Sequence, residues 1–465
     1  MKTLLDKIWD SHVAGARGDG LSLIHVDRHV LHDLHAPPAF QRLAKSGYPL
    51  RRPDLTIAVT DHTVSTLPNR SANSTLNGAE FLAATRAGAN RYGIKLLDLD
   101  SPSQGIVHVV SPELGIALPG GTLACPDSHA CTVGGVGALG FATGTTELVH
   151  VLATQTLAVK KPRQMRISLD GALPPHVTAK DVILYLIGVL GSSLARGHAI
   201  EFCGSVARAL PVEGRLTLCN MITELGGRTG LIAPDDTVFS WLAGRPCAPA
   251  GAAWDAALAD WRRLSSDDDA HFDHAVSVDC SALAPQITWG IDPTHVLPVT
   301  GHVPDPAAQT GDTRATFEQA LDYMGLTPGM AMEGIAVDRV FIGSCTNARL
   351  SDLEAAAAIV RGRKIAAGVE AAVVPGSSSV KAEAERLGLD QVFLAAGFEW
   401  RSSGCSMCAG LNGDEGRPGQ RIVSTTNRNF AGRQGAGVRT HLSSPAMAAA
   451  AAIAGHITDV RRLSA

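Results

Sequence analysis

The 465-residue sequence has no apolar run long enough to span a bilayer. Its best run, residues 182–190, falls well short of the roughly 20 residues that crossing requires, and it reads as a buried helix. No secretion signal opens the chain. Met1-Lys2-Thr3-Leu4-Leu5-Asp6 places an acid where a signal peptide keeps its apolar core. These absences predict a cytoplasmic protein with no membrane partner. A basic excess is lacking too. With 40 Lys and Arg against 44 Asp and Glu, the net charge is −4. That argues against a nucleic-acid binder driven by bulk electrostatics and leaves room for a local basic pocket that takes a small anion. Nine cysteines cannot all pair, and a long unsecreted chain has little use for a disulfide framework. Most should be small buried hydrophobes.

Hydrophobic residues make up 45% and charged residues 18%, enough for buried cores and without a disorder signature. The length suggests about three domains. We place them at 1–162, 163–304 and 305–465, all α/β. Residues 165–169 alternate like a strand. Thr178 and Asp181 form a capping-box start to an apolar helix. Residues 248–269 read as helical, 276–280 as a strand, and the Pro/Gly/Asp-rich 301–313 as a linker. Next come a strand at 340–342, a helix capped by Ser351 or Asp352 and stopped at Gly362, a strand at 371–374 and a helix at 380–387. This spacing means a parallel sheet, with Cys345 at the carboxyl end of a strand, where such sheets bind ligands. Residues 446–454 form an alanine-rich helix.

Cys405-Ser406-Met407-Cys408 is a C-x-x-C motif. Alone it fits a redox pair, half a zinc site, part of an iron–sulfur site, or nothing. One other cysteine stands in a setting that projects it into a site: Cys345, within Gly343-Ser344-Cys345-Thr346-Asn347. Three thiolates are one short of the usual cluster complement, and that shortfall would leave one iron open to substrate as a Lewis acid. Two other motifs have bland readings. Gly135-Val136-Gly137-Ala138-Leu139-Gly140 matches a dinucleotide fingerprint but follows no clear strand and has no acid about 20 residues on, so it reads as close packing. His25, His29, His32 and His35 read as one helical face rather than a metal tract.

Asp61-His62, Gly105-Ile106-Val107-His108, Asp127-Ser128-His129, Glu201-Phe202, the Cys345 motif, Gly404-Cys405-Ser406-Met407-Cys408, and Asn427-Arg428-Asn429-Phe430 with Arg433 occur in the order found in aconitase-family enzymes. The resemblance runs almost from end to end. It is greatest to the branch whose large subunits isomerise isopropylmalate, a step of leucine synthesis. It implies three α/β domains around a [4Fe-4S] cluster, without the mobile swivel domain. Cys345, Cys405 and Cys408 resemble the cluster ligands. Asp61-His62 resembles the pair that protonates the departing hydroxyl, and His129 with Glu201 a second such pair. His108 and Asp127 resemble pocket residues, with Ser128 beside them. Asn427, Arg428 and Arg433 resemble the contacts of a small hydroxy-dicarboxylate substrate.

This sequence departs from the family pattern at Pro126 (usually glycine), Ala130 (usually threonine), Ser402-Ser403 and Ala409-Gly410. These changes leave citramalate, dimethylmalate, homocitrate or another malate analogue open as substrate. The resemblance further implies a separate small subunit that carries the swivel domain and the proton-abstracting base, without which the chain should be nearly inactive. A non-catalytic, RNA-binding iron sensor is the reading from a different class. The net negative charge and the complete catalytic set argue against it.

Overall fold

The computed structural model describes residues 1–463. The chain divides into two compact units, each assembled from three pieces: 1–63, 77–172 and 193–280 in the first, and 64–76, 173–192 and 281–465 in the second. Each of the three consecutive regions read from the sequence contributes its own parallel sheet, yet compactness groups them into two units.

The first unit holds a five-stranded parallel sheet in the order Lys95–Leu97, Thr56–Val59, Arg28–His32, Thr122–Cys125, Leu139–Ala142. Chain order reverses beside Arg28–His32. A crevice therefore opens at the carboxyl ends of that strand and its neighbours. A second parallel sheet, Thr229–Ile232, His198–Cys203, Arg163–Asp170, His274–Asp279, lies in the same unit. The second unit repeats the first winding: Glu399–Trp400, Glu370–Val373, Arg339–Ile342, Arg421–Ser424, Arg439–Leu442, all parallel. Its strands are nearly all buried, as expected for a sheet covered on both faces. The helix Pro445–Ala454 packs into its core through small side chains.

Local signals explain most boundaries. The Thr178–Asp181 capping box starts helix Ala179–Leu190, and Gly191 ends it. Helix Leu350–Val360 begins at Arg349 rather than at Ser351 or Asp352. Asp352 sits one turn in, bonds back to the Arg349 amide and also accepts from Asn347 Nδ2. The helix expected over 248–269 is limited to Ala252–Trp261. The expected linker already contains the start of helix Gly311–Met324. The histidine tract is not a helical face: His25 and His29 lie on strands, His32 ends a strand, and His35 precedes helix Ala36–Ser46.

The glycine-rich run packs as expected. It lies in and after the 3-10 helix Ser128–Val136. A β-carbon on Gly135 would stand 2.5 Å from the Leu216 amide nitrogen, and one on Gly140 would stand 2.0 Å from the Ala130 carbonyl oxygen. No helix among the described residues is long and apolar enough to cross a membrane.

Candidate functional site

In the first unit three strand ends converge on one cluster. Arg28–His32 runs into Asp33, Thr56–Val59 into Asp61-His62, and Thr122–Cys125 into Asp127. Asp61 is fully buried. Its Oδ1 lies 2.6 Å from His62 Nδ1 and its Oδ2 accepts from the Val107 amide. Burial pushes the Asp61 carboxyl up, but the His62 charge and hydrogen bond outweigh it and hold it at about 2. With Nδ1 bound to Asp61, Nε2 stands 3.5 Å from Asp127 Oδ2. Asp127 Oδ1 meets His108 Nε2 at 2.7 Å and accepts from the His129 amide. Burial opposes ionisation of Asp127, yet His108, His129 and His62 hold it well below the usual carboxylate range.

His129 Nε2 lies 3.0 Å from Glu224 Oε1, and both side chains are buried. The pairing of His129 with Glu201 expected from the sequence does not form. Glu201 accepts from Ser266 Oγ at 2.7 Å, and burial raises its carboxyl. Ser128 Oγ lies 3.4 Å from His129 Nδ1. The cluster thus presents three imidazole–carboxylate pairs: Asp61–His62, Asp127–His108 and Glu224–His129.

Two further residues shape this cluster: Asp33, which carried no sequence signal of its own, and His32, which the sequence offered only as part of a histidine tract read as structural. Asp33 is buried and accepts from the backbone amides of Asp61, His62 and Thr63, which fixes the turn that carries the acid pair. Burial, with Asp61 nearby, raises its carboxyl. His32 stacks on His62 with ring centroids 4.0 Å apart and donates through Nε2 to the Pro126 carbonyl. Burial holds its imidazole at about 3, so it is neutral.

In the second unit the strand ends again carry the residues singled out from the sequence. Arg339–Ile342 leads into the turn holding Cys345, Glu399–Trp400 into the segment holding Cys405 and Cys408, and Arg421–Ser424 into Asn427. All three cysteines are buried. Asn427 Nδ2 is 3.5 Å from Cys345 Sγ, and its Oδ1 is 3.5 Å from Cys408 Sγ. Ser344 Oγ reaches Cys408 Sγ at 3.3 Å from a backbone at φ +84°. Arg349 holds the Cys345 turn through the carbonyls of Cys345 and Thr346. The fully buried Lys180 donates to the carbonyls of Thr425 and Thr426, just before Asn427. Arg433 lies over Phe430, and its buried Nε has no hydrogen-bond partner.

The spacing of the thiols discriminates between metal centres. A single tetrahedral ion with Zn–S bonds of about 2.3 Å brings its sulfurs within roughly 4 Å of one another. Among the described residues, the sets of three or more His, Cys, Asp or Glu whose ligand atoms lie within 4.8 Å are His32/Asp33/Asp61/His62 and His108/Asp127/His129. Cys345, Cys405 and Cys408 form no such set. Among the described residues these three buried thiols are therefore not drawn together as one tetrahedral ion would hold them.

Among known proteins, the chain is 54% identical to the "3-isopropylmalate dehydratase large subunit 1" of Bradyrhizobium diazoefficiens over 463 residues, 99% of this chain and 97% of that protein. The crystal structure of Thermococcus kodakaraensis aconitase X (holo-form) covers 92% of this chain and 89% of its own at a TM-score of 0.46 and 11% identity, too distant a likeness to support any conclusion. The family described as "Aconitase family (aconitate hydratase)" matches residues 6–455, and the chain belongs to that family.

Proposed function

We propose that the chain is the large subunit of a 3-isopropylmalate dehydratase, a hydro-lyase that interconverts 2- and 3-isopropylmalate by removing and restoring water in leucine synthesis. The observation that carries this reading is the 54% identity, over nearly the whole of both chains, to a large subunit of that name.

Cys345, Cys405 and Cys408 would hold a [4Fe-4S] cluster. Such a cluster, left with one iron free of thiolate, supplies Lewis acidity toward hydroxyl and carboxylate oxygens. The remaining roles belong to side chains. His62 gives its Nε2 proton to the departing hydroxyl, while Asp61 fixes the other nitrogen and offsets the imidazolium charge. Asp127 orients His108 and His129, and Glu224 holds the far side of His129. Arg428 and Arg433, whose planar forks match carboxylates, bind the ends of a hydroxy-dicarboxylate, with Asn427 and Ser128 as polar contacts. A separate small subunit provides the base that takes the proton from carbon, in keeping with the relative's designation as a large subunit.

The test is anaerobic. The chain is reconstituted with iron and sulfide, the cognate small subunit is added, and alkene absorbance is followed over a panel of substituted malates. Turnover of isopropylmalate only with both subunits supports the proposal. Turnover of citramalate, dimethylmalate or homocitrate instead retains the chemistry and changes the substrate. A formed cluster with every malate inert overturns it.

A further inference from the structure

The turn Cys405-Ser406-Met407-Cys408 is held in an unfavourable backbone conformation. Ser406 sits at φ +50°, in the left-handed region that residues with a β-carbon avoid. Something outside the turn must hold it there, and the hydrogen bonds identify a single carboxylate. Asp414 is buried, with a side chain only 6% exposed. Its Oδ2 accepts from Ser406 Oγ at 2.7 Å, Thr66 Oγ1 at 2.6 Å and Asn412 Nδ2 at 3.0 Å, and its Oδ1 accepts from Arg401 Nη1 at 2.9 Å. Four donors thus converge on one carboxylate, three of them on Oδ2 and one on Oδ1. The donors come from separate stretches of the second unit. Thr66 belongs to the inserted segment 64–76, which is itself fastened by Asn412 to the Val64 carbonyl and by the Ser402 amide to the Thr66 carbonyl. Arg401 follows the edge strand Glu399–Trp400.

We propose that Asp414 is a positioning residue that locks the Cys405–Cys408 turn in its ligating shape before any metal arrives. Polar groups behind a ligand set commonly fix ligand direction, and their loss costs about 10- to 100-fold in metal affinity. Here the partner holds, through its side-chain hydroxyl, the residue between two ligands rather than a ligand itself. An asparagine at 414 keeps one acceptor oxygen but replaces the other with a donor, so it cannot receive the same four donors. The inference rests on the reading that Cys405 and Cys408 ligate the cluster.

The experiment uses the full chain reconstituted anaerobically. Iron and acid-labile sulfide are counted per chain, and the visible absorption is timed as it decays under an iron chelator. For Asp414→Asn and Ser406→Ala, cluster loss should be roughly tenfold faster or more, with unchanged far-UV circular dichroism. In the double variant Asp414→Asn/Ser406→Gly, retention should recover in part, because glycine adopts positive φ without cost. A merely structural role for Asp414 would show no such recovery. Wild-type decay in both single variants, or no recovery in the double variant, overturns the proposal. Should Asp414→Asn fail to fold, Ser406→Ala decides alone. Full cluster content in Cys405→Ser would overturn the ligand reading beneath the proposal, a result distinct from failure of the Asp414 variants.

Discussion

Asp61 Oδ1 and His62 Nδ1 stand 2.6 Å apart, although the two residues are neighbours in sequence. The contact exists because Asp61 Oδ2 is anchored by the Val107 amide while Asp33 grips the backbone on either side of His62. The pair is therefore held as a unit, with one ring nitrogen committed to Asp61 and the other facing Asp127 at 3.5 Å.

Replacement of His62 by Asn should lower turnover by about 100- to 10,000-fold, the usual range for loss of a general acid. The visible absorption of the reconstituted chain should not change. Anaerobic steady-state kinetics and a spectrum of the same sample check both halves, and a bleached spectrum would mean that His62 acts on the cluster instead.

Glu224 and Glu201 are separable by mutation. Glu224 faces His129, whereas Glu201 faces Ser266. Glu224→Gln should reduce kcat by about tenfold or more, and Glu201→Gln should stay within about threefold, since its serine contact survives the change. A comparison of kcat for the two variants decides which glutamate serves the cluster.

His12 and Asp27 predict a pH dependence of stability. His12 Nε2 lies 2.9 Å from Asp27 Oδ2. Burial pushes the Asp27 carboxyl up, but His12 and Thr122 outweigh it and hold it at about 2, and the same contact raises His12 against its own burial. The Asp27 contribution is complete above the unfolded carboxyl pKa near 4 and is lost as pH falls toward 2. The His12 contribution is complete below about 6.5 and is lost as pH rises past its raised value. The pair thus contributes most at pH 4–6.5, on the order of 2 kcal/mol counted once for both partners. Urea unfolding of Asp27→Asn across pH 3–7 should show that difference flattening at the acid end.

Gly135→Ala should destabilise the first unit by about 1–3 kcal/mol, because the added methyl meets backbone rather than a movable side chain. Thermal unfolding measures the loss. A dinucleotide-binding role for the glycine run would require NAD to protect the wild-type chain, and none is expected.

The sequence revealed most where chemistry lies in contiguous residues. Asp61-His62, Asp127-Ser128-His129 and the C-x-x-C are each brought to a strand end by the local fold. Glu224 was illegible because it reaches His129 from 95 residues away, on a segment with no motif around it. Asp33 was hidden inside the histidine tract, where a spacing of three to four suggested a helix. The residues form strands instead, since Val30 and Leu31 are both buried in a sheet covered on two faces. Asp352 was read as a cap because aspartate favours that position, but its second contact to Asn347 draws it one turn inward.

The interleaving of the two units has a consequence for biosynthesis. Segments 64–76 and 173–192 belong to a unit whose main body, 281–465, is translated last. At about 5–20 residues per second, the stretch bearing Thr66 waits tens of seconds on the ribosome before Asp414 exists to receive it. On the proposed ligand set, the turn that Asp414 fastens is completed only late in synthesis, and a nascent chain interrupted before that point would carry Asp61 and His62 without it.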